Sequence, residues 1–386
     1  MVILAWLALA AAAPTTVATC RFEVPDVRAA NLGAPSPRVT EGCLRFDADL
    51  AGRGSLSFPR EGIWARMALS RARFGVDASV GPVRARAAFT AVRSGPPAGY
   101  LGIDGEAIVP KAETLEVRAD WTRAGLAVAG GVIDDLWTMS AEPRWGLRSV
   151  APEVGEASGL TVRSDLGAWL SWTAPKGWAS ASLSVTSGEG ADLRERNNGK
   201  DLAGLLIVHP LAGLGRAELL ELAVYGRDGS KGVERARDHR VGGRVDVVSD
   251  KAAGGVALLH GWGLDGDPLR VPTRVSVWAR TGDALPITAW TRVDVGWLGA
   301  DTSDTLATTW QIGGGPTLPW RGMARRVAPL SILVGYEGAS LAPGARPIAG
   351  STSGALTHSL WLQLGVRVDL RARVHLVGVA DATSEE

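Results

Sequence analysis

The chain has 386 residues, 46% of them hydrophobic and 21% charged, with 15 Trp and 49 Gly. That apolar and aromatic content excludes a disordered chain, and a net charge of +1 excludes the global basic field of a nucleic-acid binder. Only five of the 41 basic residues are Lys, so the cationic chemistry is that of Arg, which stays charged everywhere and holds anions with a planar fork of donors.

The chain opens on an apolar run, Val2 to Ala13, followed by Pro14 and the small residues Thr15 to Ala18. This is the form of a signal peptide cleaved near Ala18, and it is too short to cross a bilayer as a helix, which takes about 18 apolar residues or more. Export would carry Cys20 and Cys43 into an oxidising compartment, where they could pair. Val17-Ala18-Thr19-Cys20 also has the outline of a lipoprotein box, and a lipidated Cys20 could not form that disulfide. Two cysteines at this spacing do not make a metal site, and no cofactor is expected.

No later stretch is apolar for long enough to form a transmembrane helix. A spanning strand needs only about 9–11 residues with alternate positions apolar, and that pattern recurs. Ala72, Phe74, Val76, Ala78 and Val80 alternate with Arg71, Arg73, Gly75, Asp77 and Ser79, and Gly81-Pro82 breaks the run. Val83 to Phe89 alternate with Arg84 and Arg86, and Leu115 to Trp121 with Glu116, Arg118 and Asp120. Leu360 to Leu370 repeat the pattern near the end. Successive strand side chains point to opposite faces, so each run has one apolar and one polar face.

Further strands are expected at 126–133, 166–172, 178–186, 201–208, 218–225, 239–248, 254–260, 274–281, 288–297, 306–312 and 329–336. Turn clusters such as Asn197-Asn198-Gly199-Lys200 and Asp301-Thr302-Ser303-Asp304 separate them. The fold class expected is all-β, a transmembrane antiparallel barrel of about 16 strands. The layout expected is a signal peptide over 1–18, a periplasmic or plug segment or first strand over 19–60, the barrel over 61–376, and a polar tail over 377–386. A soluble exported all-β protein would alternate too. Against it stands the Trp count, with Trp121, Trp137, Trp145, Trp172, Trp178, Trp262 and Trp297 near expected strand ends, where a membrane interface favours them.

Ser70 to Val76 with its hairpin partner Val83 to Val92, Leu115 to Trp121, Ala129 to Asp134, and Asn198 to Gly204 resemble segments of Gram-negative porins, the phosphate-selective porins O and P in particular. Thr40 to Phe46 is similar to the first strand of α-proteobacterial porins. The resemblance implies a 16-stranded barrel in the outer membrane, often a homotrimer, whose partners are the lipid bilayer and small polar or anionic solutes.

In such a barrel the polar parity lines the lumen. It carries Arg71, Arg73, Arg84, Arg86, Arg118, Arg240, Arg244, Arg274, Arg280, Arg292 and Arg367, and arginine rings favour anions. Arg71 and Arg73 with Arg84 and Arg86 could form one basic patch. They could equally pair with Asp77, Glu116 and Asp120 across strands. An enzyme is not expected: neither His-Glu-x-x-His nor Gly-x-Ser-x-Gly occurs among the motifs. The functional expectation is passive diffusion of small hydrophilic solutes with a preference for anions. The alternative is a plugged barrel of structural or adhesive role; Trp169, Trp278 and Trp361 on the lumen parity could pack against a folded-in loop.

Overall fold

The computed structural model describes residues 39–58, 63–94, 107–191, 199–212, 220–231, 236–263, 271–282, 285–297, 307–318, 327–341 and 356–377. The expected signal peptide, Cys20 and the tail beyond 377 lie outside them.

The alternating runs form β1 (Val39–Ser57), β2 (Trp64–Val80), β3 (Val83–Ser94), β4 (Ala107–Trp121) and β5 (Leu126–Asp134). After an interruption come β6 (Ser164–Thr173), β7 (Ala179–Thr186), β8 (Asp201–Val208) and β9 (Leu220–Asp228). A two-stranded ribbon, β10 (Ser230–Lys231) with β11 (Ala236–Arg237), precedes β12 (His239–Val248), β13 (Ala252–Trp262) and β14 (Thr273–Thr281). The last are β15 (Ile287–Trp297), β16 (Ala307–Leu318), β17 (Val327–Leu341) and β18 (Leu356–Val377).

Apart from the ribbon, all the strands join one closed antiparallel barrel of 16 strands, each beside its chain neighbour. Closure runs from Val39↔Val377 to Ser57↔Ser359, between β1 and β18. Val39–Ser57, within the stretch expected over 19–60, therefore supplies the first strand, with 19–38 outside the described residues, and closure leaves no sheet edge open. A two-sheet sandwich is ruled out, because there is one sheet with no second sheet over its apolar face.

That apolar face points outward. Phe46, Leu50, Phe74, Val76, Val117, Leu183, Val224 and Leu362 are all exposed. A continuous apolar exterior of this kind is unstable in water and matches the lipid-facing band of a membrane barrel. Among the described residues no helix is long and apolar enough to cross a membrane; the strands do so. Exposed Trp121, Trp172 and Trp178 sit where β4 and β6 end and β7 begins, all on the rim of the short turns. Trp262, at the end of β13, marks the other rim.

The main core lies inside the barrel. Between β5 and β6, residues 135–163 abandon alternation and form helices α1 (Leu136–Trp145) and α2 (Val154–Ala157). Here the sequence expectation is corrected: Trp137 and Trp145 are not interface residues but buried side chains of α1. A capped helix turns them inward, where a hydrophobic lumen wall receives them.

Candidate functional site

The inserted segment begins with a local stop and start signal. Asp135 caps α1, its carboxylate accepting from the Trp137 amide at 2.9 Å, and Gly146 closes the helix in the left-handed conformation at φ 68°. Glu153 caps α2 and accepts from the Gly155 and Glu156 amides, both at 2.6 Å. The same carboxylate accepts from Trp137 Nε1 at 2.9 Å, so one buried acid ties the two helices together. Burial pushes the Glu153 carboxyl above its ordinary range, and those backbone and Trp137 donors pull it back down.

Two apolar clusters dock the segment. Leu136, Trp137, Val154 and Leu160 pack on Ala129, Trp169, Leu205, Tyr225 and Leu259 of the wall. Trp145 and Val150 reach Trp278, Trp290, Leu333 and Trp361 of β14–β18. Burial of each such large side chain stabilises docking by about 1.5–3 kcal/mol. Gly242 makes the first cluster possible: a Cβ there would lie 3.0 Å from Cζ3 of Trp137.

Wall arginines complete the attachment by donating to backbone carbonyls of the segment. Arg53 reaches Val150 O at 2.6 Å, Arg292 reaches Pro152 O at 2.6 Å, and Arg280 reaches Arg144 O at 3.2 Å. The segment thus crosses the lumen from β5–β9 toward β1, β14 and β15.

Arg144 turns to Glu221 of β9, while Glu142, Arg148, Glu156 and Arg163 gather toward Glu113 of β4. Arg163 pairs with Glu113 at 2.9 Å and with Glu142, and Arg148 pairs with Glu142 at 2.9 Å and with Glu156 at 2.5 Å. Burial opposes the charge on Arg163, yet Asp134, Glu142 and Glu113 hold its guanidinium above its ordinary value. Glu113 reaches the lumen through a β-bulge: Ala88 pairs with Thr114 and Phe89 with Ala112, so Glu113 is the extra residue, re-aimed inward.

All eleven arginines expected in the lumen stand on its inner parity, but most are already engaged. Arg71 pairs with Asp49 at 2.7 Å, and Arg73 with Asp47 and with Glu113 at 2.8 Å. Arg86 lies 3.6 Å from Asp77, and Arg118 lies 2.6 Å from Asp120 with its guanidinium 5.0 Å above the Trp169 ring. Arg240 pairs with Asp238 at 2.9 Å, Arg244 with Glu221 and with Asp246 at 2.6 Å, and Arg292 with Asp294 at 2.7 Å. Arg274 is buried beside Gly296, while Arg367 is exposed, across from Asp49. Arg84 is exposed and meets no carboxylate among the described residues; its register partner on β4 is Arg118. Arg71 and Arg73 thus sit in the ion-pair net, apart from Arg84 and Arg86. Of the two expected disulfide cysteines, Cys43 lies in β1 on the inner parity and Cys20 falls outside the described residues.

No protein-family model matches the chain, and no curated protein matches it in sequence. Solved structures do match in shape. OmpF of Salmonella typhi, solved in complex with daunomycin, has a TM-score of 0.59 at 10% identity, covering 85% of this chain and 97% of that one. An anion-selective porin from Comamonas acidovorans gives 0.54 at 9% identity, covering 85% and 100%. The trimer form of OmpT from Vibrio cholerae gives 0.53 at 13% identity, covering 85% and 99%.

The fold is that of the outer-membrane porins.

Within this porin fold, sequence reasoning missed the residues that shape the lumen most: Glu113, Glu142, Arg148, Glu153, Arg163 and the carbonyl-holding Arg53. A signal for the segment was present. Asp135 and Gly146 bracket a non-alternating stretch in the way a helix N-cap and C-cap do, inside a gap from Asp134 to Ser164 that is far longer than the Gly81-Pro82 turn. Glu113 carried no such signal, because a bulge shows only in the pairing of two strands.

Proposed function

We propose that this porin-fold protein resides in the outer membrane of a Gram-negative cell and passes small hydrophilic solutes by diffusion, with residues 135–163 setting the aperture. The observation that carries the reading is the uneven filling of the lumen. The segment packs on the wall from β5 round to β18 and is tied to Arg53 of β1 and Glu113 of β4, while toward the short-turn rim the inner face of β3 and β4 keeps Arg84 exposed and Arg86 and Arg118 partly so. A wet, charged strip beside a docked segment is a conduit with a defined width.

The anion preference rests on that strip. Arg84 and Arg118 are direct register partners, and like charges set opposite each other are unfavourable unless water or an anion lies between them. Replacing Arg84, Arg86 and Arg118 together by Gln is expected to shift the reversal potential in a KCl gradient toward cation preference. An unchanged reversal potential would remove the strip from the selectivity of the channel.

Assembly as a homotrimer belongs to the same reading; the Vibrio cholerae neighbour was solved as a trimer. Mass photometry of the detergent-extracted protein is expected to give three times the chain mass, and a single-chain mass would remove this part. A plugged barrel is the second reading, favoured by the hydrogen bond from Arg53 to Val150 O, which ties the segment to the far wall.

A further inference from the structure

In the constriction, four carboxylates lie nearer the solvent than the guanidiniums they pair with, while Glu113, 2% exposed, is buried behind Arg73, Arg148 and Arg163. Side-chain exposure is 16% and 17% for Asp47 and Asp49 but 8% and 11% for Arg73 and Arg71. On the facing segment it is 20% and 22% for Glu142 and Glu156 but 14% and 13% for Arg148 and Arg163. Asp47, Asp49, Glu142 and Glu156 thus edge the opening, with Arg71, Arg73, Arg148 and Arg163 behind them.

Toward the short-turn rim the order reverses. Arg86 is 35% exposed against 19% for Asp77, and Arg118 is 32% exposed against 23% for Asp120. Arg84 adds a guanidinium with no carboxylate partner among the described residues. The two levels are close. Asp47 shares a transverse row with Gly75 and Ala88, and Arg86 is two residues farther along β3, about 7 Å at the rise of a strand.

The geometry points to zwitterions, small solutes bearing both an ammonium and a carboxylate, as the class this channel passes best. The inference rests on the diffusion-channel reading and specifies its solute. A simple anion, favoured over a cation by the arginine strip, is still repelled at the carboxylate edge, and a simple cation is repelled at the arginine level. A zwitterion has no net charge to be repelled, and its two ends find opposite partners at successive levels. An ω-amino acid whose charges are several ångströms apart matches the spacing.

The test is the swelling of proteoliposomes by stopped-flow light scattering, with 4-aminobutyrate compared with the neutral 4-hydroxybutyramide. The zwitterion is expected to enter several-fold faster than the amide. The ratio is expected to fall in Arg84→Gln/Arg86→Gln and, separately, in Glu142→Gln/Glu156→Gln. The first pair stands on the barrel wall clear of the segment, so its effect does not depend on keeping the segment docked. Equal entry of zwitterion and amide overturns the inference while leaving the channel intact. Entry of neither overturns the channel reading, and the inference with it.

Discussion

Replacing Trp137 with alanine is expected to free the inserted segment and raise single-channel conductance several-fold. Trp137 is fully buried between the segment and the wall. Its ring meets Tyr225 edge-on with centroids 5.8 Å apart, and its Nε1 donates to Glu153 at 2.9 Å. Truncating a buried Trp to Ala costs about 3–5 kcal/mol, which lowers the docked-to-free ratio by roughly two to four orders of magnitude. The rest of the first cluster loses its centre, and Glu153 keeps only the longer bond from Thr138, at 3.3 Å, of its two side-chain donors on α1. Because the barrel is closed by strand pairing that does not involve Trp137, its fold is expected to survive, as read by heat-modifiable gel mobility. Trp137→Phe, which keeps a ring but not the N–H, is expected to fall between. An alanine variant with wild-type conductance and a folded barrel would show that the segment does not limit the aperture.

The second large effect is expected at Arg163. Its guanidinium joins Glu113, Asp134 and Glu142, on two strands and the segment itself. Removing one partner of a buried ion pair costs about 3–5 kcal/mol. Arg73 and Arg148 still face Glu113, which places Arg163→Met at the lower end of that range. The pH dependence separates this account from simple loss of packing. In the wild type, acid removes carboxylate charges that the arginines need, so docking weakens and conductance rises as pH falls. In Arg163→Met the carboxylates are in excess, so acid relieves their repulsion and conductance falls as pH falls. Recordings at neutral and acidic pH read both trends, and Arg163→Lys is expected to restore the wild-type direction. The same trend in wild type and Met variant would contradict the ion-pair account.

The barrel was legible because its strands obey the simplest rule available. With one face in lipid and one in a wet lumen, every second residue is apolar, and Phe74-Gly75-Val76 against Arg71 and Arg73 shows this without tertiary information. The inner parity of all eleven arginines followed from the same rule. Part of their pairing is local: Arg118–Asp120, Arg244–Asp246 and Arg292–Asp294 lie two residues apart on one strand, and Arg86 meets Asp77 across the hairpin. The acids that engage Arg73 and complete Arg244 come from other strands, Asp47 on β1, Glu113 on β4 and Glu221 on β9, and reading those needs the register of several strands. Alternation says nothing of what does not alternate, so it places Trp137 and Trp145 at the membrane interface although both are buried side chains of α1. β1 shows the opposite case. Leu44, Phe46, Ala48 and Leu50 alternate with Arg45, Asp47 and Asp49, yet alternation alone does not choose between plug and strand, because only closure on β18 decides its place.

Single-channel recording of the refolded wild-type protein in a planar bilayer tests the central claim most directly. The account predicts discrete conductance steps that nonelectrolytes above a sharp size limit fail to reduce, since the docked segment fixes the width of the conduit along β2–β4. A correctly folded barrel that shows no conductance would contradict it and identify residues 135–163 as a plug.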